Sequence, residues 1–244
     1  MPATARAMSV ALVAAAVCGL GVVACGTGEQ TSRAHTSIAR TRAHSVASAI
    51  NLRREDFPRS AKAVPQPLTS NELHEGRVEE RRCYGRNFVE WADVRSDAFV
   101  ELTGHGTRVT TSQVIVRHSA PEAQSVLARS RNHRTQTCLA RELRRALAHT
   151  PFRDLGGAYP SVGHMSVSAL PITVPRSDGS AAWRYTTALA AAGRRFRQYE
   201  DLVVFVYGQD EVYLVAAGYS RPYPPDKERS LAAFLLERAR MHTG

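Results

Sequence analysis

Cysteine thiols are the most reactive groups that this sequence places in a recognisable pattern. The four cysteines are Cys18, Cys25, Cys83 and Cys138. Cys25 follows Val22-Val23-Ala24, at the end of an apolar run that starts at Met8, just after Arg6. A charged start, a short apolar stretch and small residues before a cleavage point make up an export signal. When a cysteine comes directly after that point, as in bacterial lipoprotein signals, its thiol accepts the lipid.

Residues 1–24 are therefore expected to be a lipoprotein signal peptide, with Cys25 as the lipidated residue. The alternative is an uncleaved membrane anchor, but the apolar run falls short of the roughly 20 residues that cross a bilayer. Cys18 is less suitable as the lipidated cysteine, because Val17 precedes it and the apolar run continues past it. Stable anchoring needs two acyl chains, which a diacylglyceryl group supplies. We expect the protein at the outer face of the cytoplasmic membrane.

Cys83 and Cys138 remain as an even pair in an oxidising compartment, which predicts a disulfide. A loop of this length would contribute about 4 kcal/mol in the chain-entropy model. The alternative is two separately buried thiols. A metal site is less favoured, because neither cysteine has another cysteine or a histidine at ligand spacing.

Catalytic motifs are absent from the sequence. It contains no Gly-x-Ser-x-Gly, no His-Glu-x-x-His, no Ser-x-x-Lys motif with its supporting boxes, and no phosphate loop. His105, between Gly104 and Gly106, is interpreted as part of a hairpin turn. The pairs Glu79-Glu80 and Glu200-Asp201 are neighbours in sequence, and neighbouring side chains on a strand point apart. We therefore expect a non-catalytic protein without a cofactor, and no catalytic residue is assigned.

The composition restricts the partners. The chain has 244 residues and a formal charge of +10, and all basic residues except Lys62 and Lys227 are arginine. This arginine bias fits a coding preference. Alternatively, a basic exported protein lies close to anionic lipid headgroups or acidic wall polymers. Nucleic acid is not an expected partner, because the export signal removes the protein from the cytoplasm.

The expected fold is α+β in one domain, residues 46–244, after a flexible tether at 25–45 whose composition cannot bury enough apolar surface. The expected elements are a helix at 69–84, a hairpin of 97–102 and 108–118, two helices that separate at Asn132-His133-Arg134, strands at 161–173, 181–193, 195–207 and 210–220, and a last helix from Pro224. The strands form a twisted antiparallel sheet, with a meander in its second half, flanked by helices. Turn residues such as Asp178-Gly179 and Ala192-Gly193 separate the strands.

Several features follow one another along the chain: Ile50-Asn51-Leu52, Asp56-Phe57-Pro58, Cys83 before a hairpin, Cys138-Leu139 in a helix pair, a strand meander with Asp201 and Gly208, Pro224-Pro225-Asp226, and a final helix that ends in arginine. This order resembles that of actinobacterial cell-envelope lipoproteins whose domain is similar to the extracellular sensor domain of mycobacterial-type receptor serine/threonine kinases. The resemblance implies a sheet flanked by helices that binds an extracytoplasmic ligand. This chain differs in having a single expected disulfide and no kinase portion.

Three hypotheses of function follow. The first is a membrane-anchored ligand-binding or sensor-like accessory domain, whose ligand is a small molecule, a lipid or an anionic envelope polymer; its ligand-binding residues are unknown. The second is an extracytoplasmic hydrolase assembled from distant residues. The third is a structural interaction module. An apolar cavity would favour the first, a polar triad the second, and the absence of both the third.

Overall fold

A single open sheet of eight antiparallel strands forms the centre of the protein, and helices pack on both of its faces. The computed structural model describes residues 29–66, 69, 78–85, 88, 90–104, 106–149 and 158–242. This arrangement confirms the predicted α+β class and the antiparallel sheet. No helix within those ranges is long and apolar enough to cross a membrane.

The strands follow the order β1-β3-β4-β8-β7-β6-β5 across the sheet. Their bounds are β1 Lys62–Val64, β2 Glu90–Arg95, β3 Ala98–Thr103, β4 Gly106–Arg117, β5 Ser161–Ala169, β6 Gly179–Ala191, β7 Arg194–Tyr207 and β8 Asp210–Tyr219. The long strand β4 pairs with β8 along one edge. Along its other edge, β4 pairs with β3 in one half and with β2 in the other.

The helices divide between two faces of the sheet. They are α1 Glu29–Ile50, α2 at residues 78–84, α3 Ala120–Ser130, α4 His133–Ala148 and α5 Pro225–His242, with a single 3₁₀ turn at Arg54–Asp56. We call face A the side that carries Val114, Leu214 and Phe205, on which α1 and α5 pack. Face B carries Ile115 and Val204 and is covered by α3, with α4 lying over β5.

The apolar core is continuous through the central strands. β8 is buried along its whole length, and Val203–Val206 of β7 are buried on both faces. Strands that are apolar on both sides belong at the centre of a covered sheet. The positions of β7 and β8 confirm the interpretation of their continuous apolar runs.

The tether expected at residues 25–45 is wrong for the part that the structure describes, because residues 29–50 are helical. Ala43 and Ala47 belong to the same buried cluster as Ile50, so the folded domain begins before residue 46. Small side chains on one stripe let a helix approach a sheet closely, and alanine also favours helix formation. The prediction of a tether was wrong because it considered only large apolar residues and did not take the alanines into account.

Candidate ligand-binding site

Cys83 and Cys138 form the expected disulfide, with a Cα–Cα distance of 5.4 Å. The bridge joins α2 to α4 on face B, beside the buried cluster of Tyr84, Phe88 and Leu139. It therefore fastens a short helix to the sheet through a neighbouring helix. Cys25 and the expected signal peptide at residues 1–24 lie outside the described residues, as does His105 of the glycine turn.

An open groove of about 660 Å³ lies at the end of the sheet where β6 turns into β7. Arg195, Arg197 and Tyr199 line one side. Residues two apart on a strand point to the same face, and these three share face A with Phe205. The sequence of β7 thus presents two guanidinium groups and a phenol ring in a row.

Small residues form the floor of the groove. Ala188 pairs with Arg197, and Ala190 pairs with Arg195 on the neighbouring strand. Gly163 of β5 comes next, and a Cβ atom at this position would lie 3.3 Å from the carbonyl oxygen of Ala188. Because these side chains are short, they leave open space between the arginines and the edge of the sheet.

The inner end of the groove leads to a buried ionic group. Asp201 follows Tyr199 by two residues on face A and accepts two hydrogen bonds of 2.6 Å from Nε and Nη2 of Arg184. Glu228, in the first turn of α5, is fully buried beside this pair. Burial, and then the contact with Asp201, raises the pKa of Glu228 to about 9. This shift favours the protonated form of the Glu228 carboxyl group at neutral pH.

Side-chain exposure increases along β7 away from this ionic group. Asp201 is buried, Tyr199 is half-buried, and Arg197 and Arg195 are exposed. No ion pair joins either exposed arginine to another residue within the described ranges. Guanidinium groups bind carboxylates and phosphates through two parallel hydrogen bonds. The groove therefore offers two open anion-binding groups next to an aromatic ring.

A second ionic cluster lies on face B and is closed to solvent. Arg117 is fully buried and donates to Glu211 at 2.8 Å, with Glu80 of α2 at 3.5 Å and Glu90 at 3.6 Å. The ring of Phe88 lies 5.5 Å from the guanidinium carbon. Because the side chains of Arg117, Glu80 and Glu211 are fully buried and that of Glu90 is only 11% exposed, the cluster attaches α2 to the sheet and offers no binding surface.

The adjacent carboxylates point apart, as the sequence predicts. Glu200 lies on face B, where its carboxylate accepts a hydrogen bond from Gln198, whereas Asp201 faces Arg184 on face A. Glu79 lies near Glu142, and Glu80 faces Arg117. Burial is the largest cause of the raised pKa values, which are about 8 for Glu79 and Glu200 and about 7 for Glu80.

Two arrangements would indicate a hydrolase: a histidine with a carboxylate, or a cluster of metal-binding side chains. The described residues of the groove form neither. Its lining within the described residues includes serines and arginines but no carboxylate and no histidine. In that same part of the chain, no three side chains of His, Cys, Asp or Glu come together in a way that could hold a metal ion.

Sequence reasoning missed the groove residues. The available signal was the alternation of Arg195, Arg197 and Tyr199 in β7, opposite Ala188 and Ala190 in β6. That signal becomes informative only when the strand register is known. Comparison of the chain with protein-family models, with curated proteins and with solved structures finds no match. The assignment of function therefore depends on the groove itself.

Proposed function

We propose that this protein is a lipid-anchored extracytoplasmic lipoprotein whose α+β domain binds an anionic ligand in the groove at the β6–β7 hairpin. The observation that carries this proposal is the row of Arg195, Arg197 and Tyr199 above a floor of small residues. The ligand class is a phosphate or carboxylate attached to a compact polar group such as a sugar, because the ring of Tyr199 and the alanine floor provide flat contact area.

The groove is not the apolar cavity expected for the first hypothesis, because two arginines and a tyrosine line one side of it. The chemistry of these side chains is what supports ligand binding over a structural interaction module. Two exposed arginines with no acidic partner in the described part of the chain leave their hydrogen-bond donors available to a ligand. The similarity in element order to receptor-kinase sensor domains also favours a ligand-binding or sensor-like accessory role. The net charge of +10 adds a long-range attraction for anions such as envelope polymers and lipid headgroups.

The proposed location depends on the N-terminal sequence. Cleavage before Cys25 and lipidation of its thiol would hold the domain at the outer face of the cytoplasmic membrane. Helix α1 begins at Glu29, only a few residues after Cys25. The anchored domain would then lie close to the membrane surface. Mass spectrometry of the membrane-associated protein tests this location: an intact residue 1, or an unmodified Cys25, contradicts it.

Titration calorimetry of the full-length protein in detergent tests the groove. The probes are glycerol 3-phosphate, which represents a lipid headgroup, glucuronate, which represents an acidic wall polymer, and uncharged glucose. The test variant is Arg195→Gln/Arg197→Gln. The matched control is Arg194→Gln, which removes the same kind of exposed charge from the opposite face of the same strand.

We expect one or both anions to bind and glucose not to bind. A hydrogen bond to a charged group contributes about 1.5–3 kcal/mol, so loss of both arginines should weaken binding by about 100-fold or more. The control variant should bind like the wild-type protein. Equal binding of glucose, or an equal loss in the control, would contradict the proposal. The stronger of the two anions indicates the source of the ligand.

A further inference from the structure

The outer edge of β5 is unprotected over most of its length. β5 lies at the end of the sheet and pairs with β6, and no other strand of the described residues pairs with it. Its nine residues contain no Asp, Glu, Lys, Arg or Pro, and none of them is buried. An edge strand exposes unpaired backbone N–H and C=O groups, and proteins usually block such edges with charges, proline or very short strands.

The opposite edge of the sheet shows these protections. β1 has only three residues, begins at Lys62 and is followed by Pro65. β2 carries Glu90, Asp93 and Arg95, and the side chain of Asn51 donates to the carbonyl oxygen of Val94 at 2.8 Å. On β5, Arg144 of α4 donates to the carbonyl oxygen of Val162 at 3.4 Å, on the far side of the bulge. From Met165 to Ala169 the described residues provide no such contact, so this part of the edge is available to a partner.

The regular part of β5 is Met165–Ala169, because a bulge interrupts the pairing with β6 between Val162 and Met165. Its sequence, Met-Ser-Val-Ser-Ala, is self-complementary. If two copies pair antiparallel about Val167, Ser166 lies opposite the partner's Ser168, and Met165 lies opposite the partner's Ala169. Directly opposed residues on antiparallel strands share a face. Serines would meet serines on face A, and apolar residues would meet on face B.

We propose that two copies of this chain associate through β5, forming a continuous antiparallel sheet of sixteen strands. A second copy fits this edge because the strand carries no formal charge that would repel its own copy. The apolar side of the edge is also continuous with the cluster that α4 forms with Val162, Met165 and Val167. Paired edges extend this cluster from one copy into the other.

The symmetry of such a dimer fits a membrane-anchored protein. The twofold axis of an antiparallel strand pair is perpendicular to the sheet, so face A of both copies points in the same direction. Helix α1 packs on face A. Both N-termini, and with them both lipid groups if the proposed anchoring is correct, would leave the dimer on one side. The interface itself does not depend on the anchor.

Disulfide trapping in membranes tests the register. Ser166→Cys and Ser168→Cys are made in the full chain, and both side chains are exposed. Two differently tagged copies, one with each substitution, are expressed together and oxidised. Opposed residues have Cβ atoms about 5 Å apart, which permits a disulfide. Two copies of Ser166→Cys would instead lie about 8 Å apart, beyond the usual Cα limit of about 7 Å.

We expect cross-linking of the mixed pair and little from either substitution alone. Cross-linking of Ser166→Cys with itself at the same level would overturn the register, and a yield no higher than that of Ser161→Cys would overturn the interface. Cross-linking of Ser168→Cys to another protein in place of a second copy would also overturn the proposal.

Sedimentation of the detergent-solubilised full chain provides an independent measurement. The wild-type protein should be a dimer, and Ser168→Lys, which places a charge on the edge, should be a monomer. Ser60→Lys adds the same charge to an exposed position next to β1, at the other end of the sheet, and should remain a dimer. A wild-type protein that is monomeric from about 1 to 100 μM would refute the dimer.

Discussion

Replacement of Glu200 tests directly whether a buried acid in this fold is protonated. Its side chain lies on face B, where β6 places Tyr185 directly across and β8 places Ala217 on the other side. Gln198 donates to the carboxylate at 3.3 Å. Burial, with a smaller contribution from Asp201, raises the pKa of Glu200 to about 8. We therefore expect Glu200→Gln, which imitates the protonated acid, to stabilise the protein at neutral pH.

The magnitude follows from proton linkage. Glu200 has a pKa of about 4.3 in the unfolded chain, and each pH unit by which the folded-state pKa exceeds this value is equivalent to about 1.4 kcal/mol. Folding keeps the group protonated, so its favourable contribution is complete below about pH 4.3 and decreases as the pH rises towards 8. At pH 7.5 the raised pKa of Glu200 lowers the free energy of unfolding by up to about 4 kcal/mol relative to its value at low pH. Glu200→Gln should recover about 2–4 kcal/mol at pH 7.5 and almost nothing at pH 4.5.

Urea unfolding of wild type and Glu200→Gln at pH 4.5, 6 and 7.5 measures this difference. A gain of this size corresponds to a rise in Tm of about 5–10 °C for a domain of this length. Glu55→Gln, at an exposed carboxylate, is the control for the loss of one acidic side chain. A gain from Glu200→Gln that is the same at all three pH values would refute the protonation argument. A loss of stability at pH 7.5 would show that the carboxylate is charged and needed.

Three further variants test the structural parts of the fold. Replacing Cys83 and Cys138 with serine should lower the free energy of unfolding by about 4 kcal/mol, given their separation of 55 residues, as measured under non-reducing conditions. Arg117→Met should cost about 3–5 kcal/mol, because it leaves buried carboxylates without a cation, and the loss in urea unfolding should be smaller at pH 5 than at pH 7.5. Gly218→Ala should cost about 1–3 kcal/mol in the same measurement, because its Cβ atom would lie 2.2 Å from the carbonyl oxygen of Arg221.

Local sequence signals were sufficient for the meander. The runs expected at 161–173, 181–193, 195–207 and 210–220 correspond to β5, β6, β7 and β8. Turn residues explain this accuracy: Gly193 and Gly208 adopt positive φ angles, which glycine accepts without strain, in the turns that join the strands. The break between α3 and α4 was also predictable, because the side chain of Asn132 caps the second helix by accepting from the backbone N–H of Arg134.

Features that depend on partners distant in sequence were not predictable. Strand β2 was not expected, since Glu-Trp-Ala-Asp-Val-Arg has no clear alternation and its stability comes from pairing with β4. The final helix was expected to end in arginine, but Arg238 near that end is buried and pairs with Asp56 at 2.8 Å, 182 residues away. A single sequence contains no signal for such a pairing.

The position of the groove follows from where α5 begins. After β8 the chain turns back over Gly218, and the backbone at Arg221 comes so close that no side chain fits there. Ser220 takes a positive φ of 69° in this turn, and α5 starts at Pro225. The first turn of the helix then brings Glu228 over Asp201, so face A is covered up to Asp201. Tyr199 and the two arginines beyond it stay open because the tight turn fixes the starting point of the helix that would otherwise cover them.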